Sequence, residues 1–321
     1  MSDIAAIVIG RNEGARLVAC LASLRGQVAR VVYVDSGSTD GSVEMARATG
    51  AVVVPLDMSK PFTAARARNA GLDALAARPP EFVQFLDGDC TLAPGWVDVA
   101  EEFLAENRDV AVACGRRREI APEASVYNRL CDDEWDTPVG EALACGGDAL
   151  VRWEAITAVG GFDPSLIAGE EPDLCLRLRL ERQKIWRLDA EMTGHDAAIH
   201  RFGQWWKRAR RAGHAYAEGA ARHGRAHGHW VSETRRMLLW GLWLPLAILL
   251  AAVAVGPWAL LLLLLYPLQV VRLAMRRGAG SRFSWQWALF MTLHKFAGSL
   301  GALGYYWSRL TRRQTTLIEY K

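Results

Sequence analysis

The sequence predicts an α/β protein built on a mostly parallel sheet, continued by an α-helical region apolar enough to enter a membrane. Three observations carry this expectation. From Ile4 to about Leu188, short β-rich apolar runs alternate with Ala-, Leu- and Arg-rich stretches at helical spacing, the pattern of βαβ units with helices on both faces of a sheet. From Met237 to Met275 the chain is nearly free of charge. Between these regions Arg, Lys and His crowd the stretch His195 to Arg236, whereas Asp and Glu are frequent before Glu191.

A chain of 321 residues, 51% hydrophobic and 23% charged, is long enough for a domain with a sizeable core and something further. The net charge of +3 hides the asymmetry just described. A basic segment next to an apolar one suits a membrane surface and its lipids, not nucleic acid. Cys20, Cys90, Cys114, Cys131, Cys145 and Cys175 are scattered without a C-x-x-C pair, so they indicate buried thiols in a reducing compartment and no disulfide framework. Met1-Ser2-Asp3 leads straight into a strand-like run with no basic and apolar leader, so the domain is expected to stay unsecreted.

The strand candidates in order are Ile7–Ile9, Val31–Val34, Val52–Val54, Phe82–Leu86 and Val110–Val112. In parallel sheets ligands bind at the carboxyl ends of strands. Acidic residues gather at those ends: Asn12-Glu13 follows the first run, Asp35 closes the second, and Asp87 and Asp89 close the fourth. Gly10-Arg11-Asn12-Glu13 is no dinucleotide-binding G-x-G-x-x-G, which disfavours an oxidoreductase.

The apolar stretch at 237–276 is about twice the roughly 20 residues of one membrane span, and Gly256-Pro257 interrupts it near the middle. Arg235-Arg236 before it and Arg272, Arg276 and Arg277 around its end put both ends in the cytoplasm, as a transmembrane helical hairpin. A third apolar stretch, 283–310, holds His294 and Lys295 in mid-length and aromatic residues near its ends, which favours an interfacial or re-entrant amphipathic helix. The expected domains are therefore 1–195 for the α/β domain, 196–236 for a basic linker with helices, 237–276 for the hairpin, 283–310 for the third helix and 311–321 for a basic cytoplasmic tail. The expected location is a bacterial-type inner membrane with the α/β domain on its cytoplasmic face.

Asp87-Gly88-Asp89 suits a hard divalent cation and a nucleotide: two carboxylates one residue apart divide the contacts, and Gly88 leaves room for close approach. Alone, the same tripeptide also suits a solvated turn. Its surroundings form an ordered set: Asn12-Glu13, Asp35-Ser36-Gly37-Ser38-Thr39-Asp40-Gly41, Ala67-Arg68-Asn69-Ala70-Gly71, Gly160-Gly161-Phe162-Asp163 and Gly169-Glu170-Glu171-Pro172-Asp173-Leu174. In this order and spacing the chain resembles the family 2 glycosyltransferases of the GT-A fold, over roughly its first 190 residues.

The resemblance implies a GT-A domain, a Rossmann-like mixed sheet flanked by helices, that moves a sugar from a UDP-, GDP- or dTDP-sugar to a hydroxyl with inversion. It implies that Asn12, Glu13 and Asp35 meet the base and ribose, that Arg68 sits near the nucleotide, and that Asp87 meets the ribose. It further implies Asp89 as ligand of Mn2+ or Mg2+ and Glu171 as base, where the family more often has Asp. Glu170 and Asp173 are acceptor-side candidates. His195 is a candidate second metal ligand, with His200 an alternative in the sequence, and either also suits a structural hydrogen bond. Trp205 and Trp206 suit stacking on an acceptor sugar or an interfacial aromatic belt. Gln204-Trp205-Trp206-Lys207-Arg208 has the wrong order for the Q-x-x-R-W element of processive synthases. Arg116-Arg117-Arg118 suits phosphate or a solvated edge. The membrane region next to the α/β domain makes a lipid-linked or glycan acceptor the expected partner, in the synthesis of cell-envelope glycoconjugates. A processive polysaccharide synthase and a non-catalytic nucleotide-sugar-binding membrane scaffold are the alternatives.

Overall fold

The five apolar runs are all strands in the computed structural model, which describes residues 3–312. The chain divides into two units, Met1–Ala198 and Ile199–Lys321. In the first, the order is β1 (Ile4–Gly10), α1 (Ala15–Ser23), β2 (Arg30–Asp35), α2 (Ser42–Ala48), β3 (Val52–Pro55), α3 (Ala64–Leu75) and β4 (Phe82–Asp87). Then come β5 (Cys90–Leu92), α4 (Trp96–Glu106), β6 (Val110–Glu119), α5 (Val126–Trp135), β7 (Gly140–Ala142), β8 (Ala149–Arg152), α6 (Trp153–Ala158), α7 (Glu170–Leu180) and β9 (Lys184–His195).

The sheet runs β3-β2-β1-β4-β8-β6-β9-β5, with β7 also on β9. β1 is buried from Ile4 to Ile9 and is flanked in parallel by β2 and β4. Burial on both faces explains why these strands read as continuous apolar runs instead of alternating ones. Register then does the functional work. Gly10 pairs with Asp35 and Ile9 with Asp87, so three strand ends come level at one edge.

The far half is antiparallel where it matters. β8 pairs with β4 in reverse, Ala149 opposite Phe85, so the residue before β8 lies beside the end of β4. β5 pairs with β9 in reverse, Cys90 opposite His195. Gly115 in β6 allows a close crossing: a Cβ there would lie 2.6 Å from both the Ala190 carbonyl and the Trp96 ring.

The second unit is helical: α8 (Phe202–His227), α9 (Val231–Leu238), a widened turn at Leu239–Trp243, α10 (Leu244–Val255), a tightened stretch at Pro257–Leu264, α11 (Leu265–Arg277) and α12 (Arg282–Thr311). Two helical runs in it, Val231–Val255 and Pro257–Arg277, are long and apolar enough to cross a membrane. They meet at Gly256, whose φ of 107° suits glycine, and Tyr266 Oη donates to the Trp240 carbonyl at 2.7 Å between the two arms. The stretch 283–310 is part of one unbroken helix of 30 residues, which lacks the reversal a re-entrant segment needs. Of the expected tail, residues 313–321 lie outside the described residues.

α12 lies tightly on α8. A Cβ on Gly213 would collide with Gly298, and one on Gly301 with the Arg210 carbonyl. Small residues at those points are what let two helix backbones approach so closely.

Candidate active site

The level strand ends put their loops together. Asn12, with φ of 56°, takes the left-handed conformation that Asn tolerates. Its N–H donates to Ser38 Oγ at 2.9 Å, and its Oδ1 accepts from Thr39 N at 2.7 Å. Asp35 is buried and accepts from Gly37 N and Ser38 N at 3.0 Å each and from Tyr33 Oη at 3.1 Å. Its carboxylate thus orders the loop that follows it. Burial pushes the Tyr33 hydroxyl up, so it stays a donor to that carboxylate. Glu13 pairs with Arg16, in the first turn of α1, at 2.7 Å.

Between Asp87 and Asp89, the Gly88 N–H donates to the Ile9 carbonyl at 2.8 Å, and a Cβ on Gly88 would lie 3.1 Å from that oxygen. The tripeptide is therefore held against β1, unlike a free solvated turn. Arg68, 3% exposed, donates to Asp87 Oδ1 at 2.9 Å and to Glu170 Oε1 at 2.7 Å, under the Phe162 ring. Burial works against its charge, but Asp87 and Glu170 outweigh this and push the guanidinium up. Arg68 is thus a tie between the end of β4 and the start of α7.

Of the two histidines left open by sequence, His195 is the one beside the acid. Its Nε2 is 3.4 Å from Asp89 Oδ1, a consequence of the Cys90–His195 pairing. His195 Nδ1 is buried with no hydrogen-bond partner among the described residues, and the ring stands edge-on to Trp135 at 4.7 Å. His200 is exposed in the helical unit, its N–H donating to Gln204 Oε1 at 3.0 Å. A carboxylate oxygen and an imidazole nitrogen fit Mn2+ or Mg2+. Cys90 Sγ lies 3.7 Å from Asp89 Oδ1 as well, but a soft sulfur is a poor ligand for a hard ion.

The three acids at the start of α7 separate by partner. Glu170 is paired with Arg68, and Asp173 with Arg177 at 2.8 Å. Glu171, 6% exposed, has no ion pair among the described residues. Its Oε1 accepts from the Cys145 N–H at 2.5 Å and from the Cys175 thiol at 3.0 Å, and its Oε2 takes no hydrogen bond among the described residues.

Asp148 escaped the sequence, and its pairing with Arg117 is not legible in Arg116-Arg117-Arg118. Asp148, fully buried, accepts from the Asp87 N–H at 3.2 Å and from Thr193 Oγ1 at 3.0 Å, and is paired with Arg117 at 2.6 Å. Burial pushes its carboxyl up, with Arg117 opposing. Arg117 in turn lies over Trp135, 5.4 Å from the ring centroid. Neither side chain of this pair is a solvated edge. Arg118 pairs with exposed Glu191, and Arg116 with Asp132 and Asp136. The available signal for Asp148 was Gly146-Gly147 directly before a short apolar run, since both glycines take positive φ to turn the chain into β8.

Trp205 needs correction as an acceptor-side candidate. It is 3% exposed and packs in the helical unit against Phe290, Phe202 and Trp206, leaving little ring surface for a sugar.

Residues 5–138 match the family described as Glycosyl transferase family 2. Over these residues the N-terminal unit is similar to family 2 glycosyltransferases. Among curated relatives, a pre-mycofactocin glycosyltransferase of Mycobacterium tuberculosis is 32% identical over 197 residues, covering 55% of this chain and 39% of the relative. The succinoglycan biosynthesis protein ExoA of Rhizobium meliloti is 28% identical over 197 residues, covering 56% of this chain and 58% of its own. The match thus spans roughly two-fifths to three-fifths of these relatives' length. The fold is that of a solved mannosyltransferase, PcManGT from Pyrobaculum calidifontis in complex with GDP-Man and Mn2+, at a TM-score of 0.66 and 21% identity, covering 96% of this chain and 88% of the other. A glucosyl-3-phosphoglycerate synthase from Mycobacterium tuberculosis gives a TM-score of 0.51 at 21% identity, over 70% of this chain and 80% of that one. Both likenesses show the GT-A fold.

Proposed function

We propose that the protein is a membrane-associated, metal-dependent, inverting glycosyltransferase that moves a hexosyl unit from a nucleotide sugar to a lipid-linked or glycan hydroxyl in cell-envelope glycoconjugate synthesis. The observation that carries this is the separation of the acids by partner. Glu170 and Asp173 are paired with arginines, Glu171 presents a carboxylate without a cation among the described residues, and Asp89 faces His195.

Asn12, Glu13, Asp35 and Asp87 line the nucleotide side, with the loop ordered by Asp35 offering hydroxyls and N–H groups to base and ribose. Asp89 and His195 hold Mn2+ or Mg2+, as the mannosyltransferase neighbour is described with Mn2+. When bound, the ion supplies positive charge to the departing diphosphate. Glu171 Oε2 takes the proton of the acceptor hydroxyl. The hydroxyl oxygen bonds to the anomeric carbon as the bond to diphosphate breaks, and the electron pair leaves with the diphosphate. One displacement inverts the anomeric centre. Cys145 N–H and the Cys175 thiol orient the carboxylate through Oε1. Arg68 fixes Asp87 and Glu170 and so sets the separation of donor and acceptor sides.

The two apolar helical runs and the basic residues that border them support attachment to a bacterial-type inner membrane, with the α/β unit on the cytoplasmic face and α12 in the interface. The test is release of UDP, GDP or dTDP from a donor panel with Mn2+ or Mg2+ and polyprenyl-linked acceptors, in detergent. Glu171→Gln is expected to lower turnover on the order of 100- to 10,000-fold with little change in donor binding, the range for loss of a general base. Turnover unaltered in this variant sinks the assignment.

A further inference from the structure

The carboxylate proposed as proton acceptor sits against two thiols. Cys145 Sγ and Cys175 Sγ are 3.8 Å apart, and Cys175 Sγ is 3.0 Å from Glu171 Oε1. The three ligand atoms lie within 4.8 Å of one another, and all three residues are buried. Glu171 and Cys175 are one turn apart on α7, which puts both on one face. Cys145 arrives from the loop between β7 and β8, next to Gly146 and Gly147, whose φ values of 89° and 99° bend the chain toward the helix.

We propose that Cys145, Cys175 and Glu171 form a site for one thiophilic divalent ion of the Zn2+ class, distinct from the Asp89–His195 site. A tetrahedral zinc ion with Zn–S bonds of about 2.3 Å holds its sulfurs about 3.8 Å apart. That separation is already present between Cys145 and Cys175. The Glu171 oxygen supplies a third ligand, and a water completes the shell. Two soft sulfurs select against Mg2+ and Mn2+, whereas the oxygen and nitrogen of Asp89 and His195 suit those ions. Binding releases two thiol protons to solvent.

A disulfide explains the same cluster less well. The sulfurs would have to close to about 2.05 Å, and the buried Glu171 Oε1 would lose its thiol donor. With a metal bound, that oxygen keeps a partner. Filling the site also takes up the proposed base, so the ion acts as an inhibitor. The inhibition rests on the proposed role of Glu171; the binding does not.

The full-length protein, reduced, stripped with a chelator and held in excess Mg2+, is titrated with Co2+. The expected result is a near-ultraviolet thiolate-to-cobalt band that saturates at one ion per chain and is displaced by Zn2+. It is lost in Cys145→Ser and Cys175→Ser and kept in Asp89→Ala. No such band, or a band unchanged in both serine variants, overturns the proposal. Should a serine variant fail to fold, alkylation of the unmodified chain decides: bound Zn2+ must slow labelling of Cys145 and Cys175, because a ligating thiolate is no longer free to react, and an unchanged rate overturns the site. In excess Mn2+, Zn2+ should lower turnover more than about tenfold, reversibly and only in the chain with both cysteines. Thiolate–cobalt binding with no loss of turnover on adding Zn2+ leaves the metal site standing and removes Glu171 as the base.

Discussion

In Met1–Ala198 the unusual residues are buried charges; in the helical unit they are exposed apolar side chains. Arg68, Asp148, Glu171 and Asp173 are all buried in the first. In the second, Val253 and Trp258 are 87% and 80% exposed, amid exposed leucines. Each inverts the usual rule that charge faces water and oil avoids it. A buried charge is tolerated when it is paired, and it is retained where an opposite charge must be held in place. Exposed apolar surface on this scale marks a surface meant to be covered, by lipid in the proposed membrane attachment. Among the described residues the helical unit buries one carboxylate of its own, Glu218, beside His214 and paired with Arg222 on α8, outside the two apolar runs.

The largest expected effect is at the acid proposed to hold the metal ion. Asp89→Ala removes the carboxylate beside His195, and turnover is expected to fall by about 1,000-fold or more, equivalent to roughly 4 kcal/mol of transition-state stabilisation. Nucleoside diphosphate release at saturating Mn2+ reads this, and thermal stability should hardly change. An Asp89→Ala enzyme with full turnover would place the ion elsewhere.

That prediction was reachable from sequence, and its neighbours show why others were not. Asp35, Asp87 and Asp89 stand at the ends of apolar runs, and a parallel sheet brings such ends level by register alone. The order of motifs did the rest. Asp148 and Arg117 depend instead on which strand pairs with which in the antiparallel half, and no local pattern encodes that pairing. That His195 and not His200 stands beside Asp89 follows only from the pairing of β9 with β5. Trp205 failed for a related reason: its neighbours Lys207 and Arg208 pointed to a surface, but Phe290, far along the chain, covers the ring.

Arg68 tests whether the buried charges hold structure as well as chemistry. Arg68→Ala leaves Asp87 and Glu170 facing each other without their shared cation. Breaking a buried pair costs about 3 to 5 kcal/mol; with Asp87 partly exposed, the lower end is expected. Urea unfolding of the variant measures it. Equal stability would mean that water already screens the tie.

On the other side of the comparison, Leu250→Arg puts a charge among the exposed apolar residues of α10. In water this change is nearly neutral, because Leu250 is 62% exposed. At the centre of a membrane span it costs about 2.5 to 3.5 kcal/mol. The variant should partition less into membranes and should keep its rate on a soluble donor and acceptor in detergent. Unchanged partitioning would remove the hairpin from the membrane.

The smallest effect probes the helix contact itself. Gly301→Val adds a branched side chain where a Cβ already meets the Arg210 carbonyl and the His214 N–H. The helices must separate, and overpacking of this kind costs about 1 to 3 kcal/mol. The loss should appear as a lower melting temperature, with no matching change at Gly304, where a Cβ meets nothing within 4 Å. Gly304→Ala is the control, expected to be neutral or slightly stabilising because alanine favours helix over glycine by about 1 kcal/mol. If both substitutions behave alike, helix propensity and not close packing governs α12.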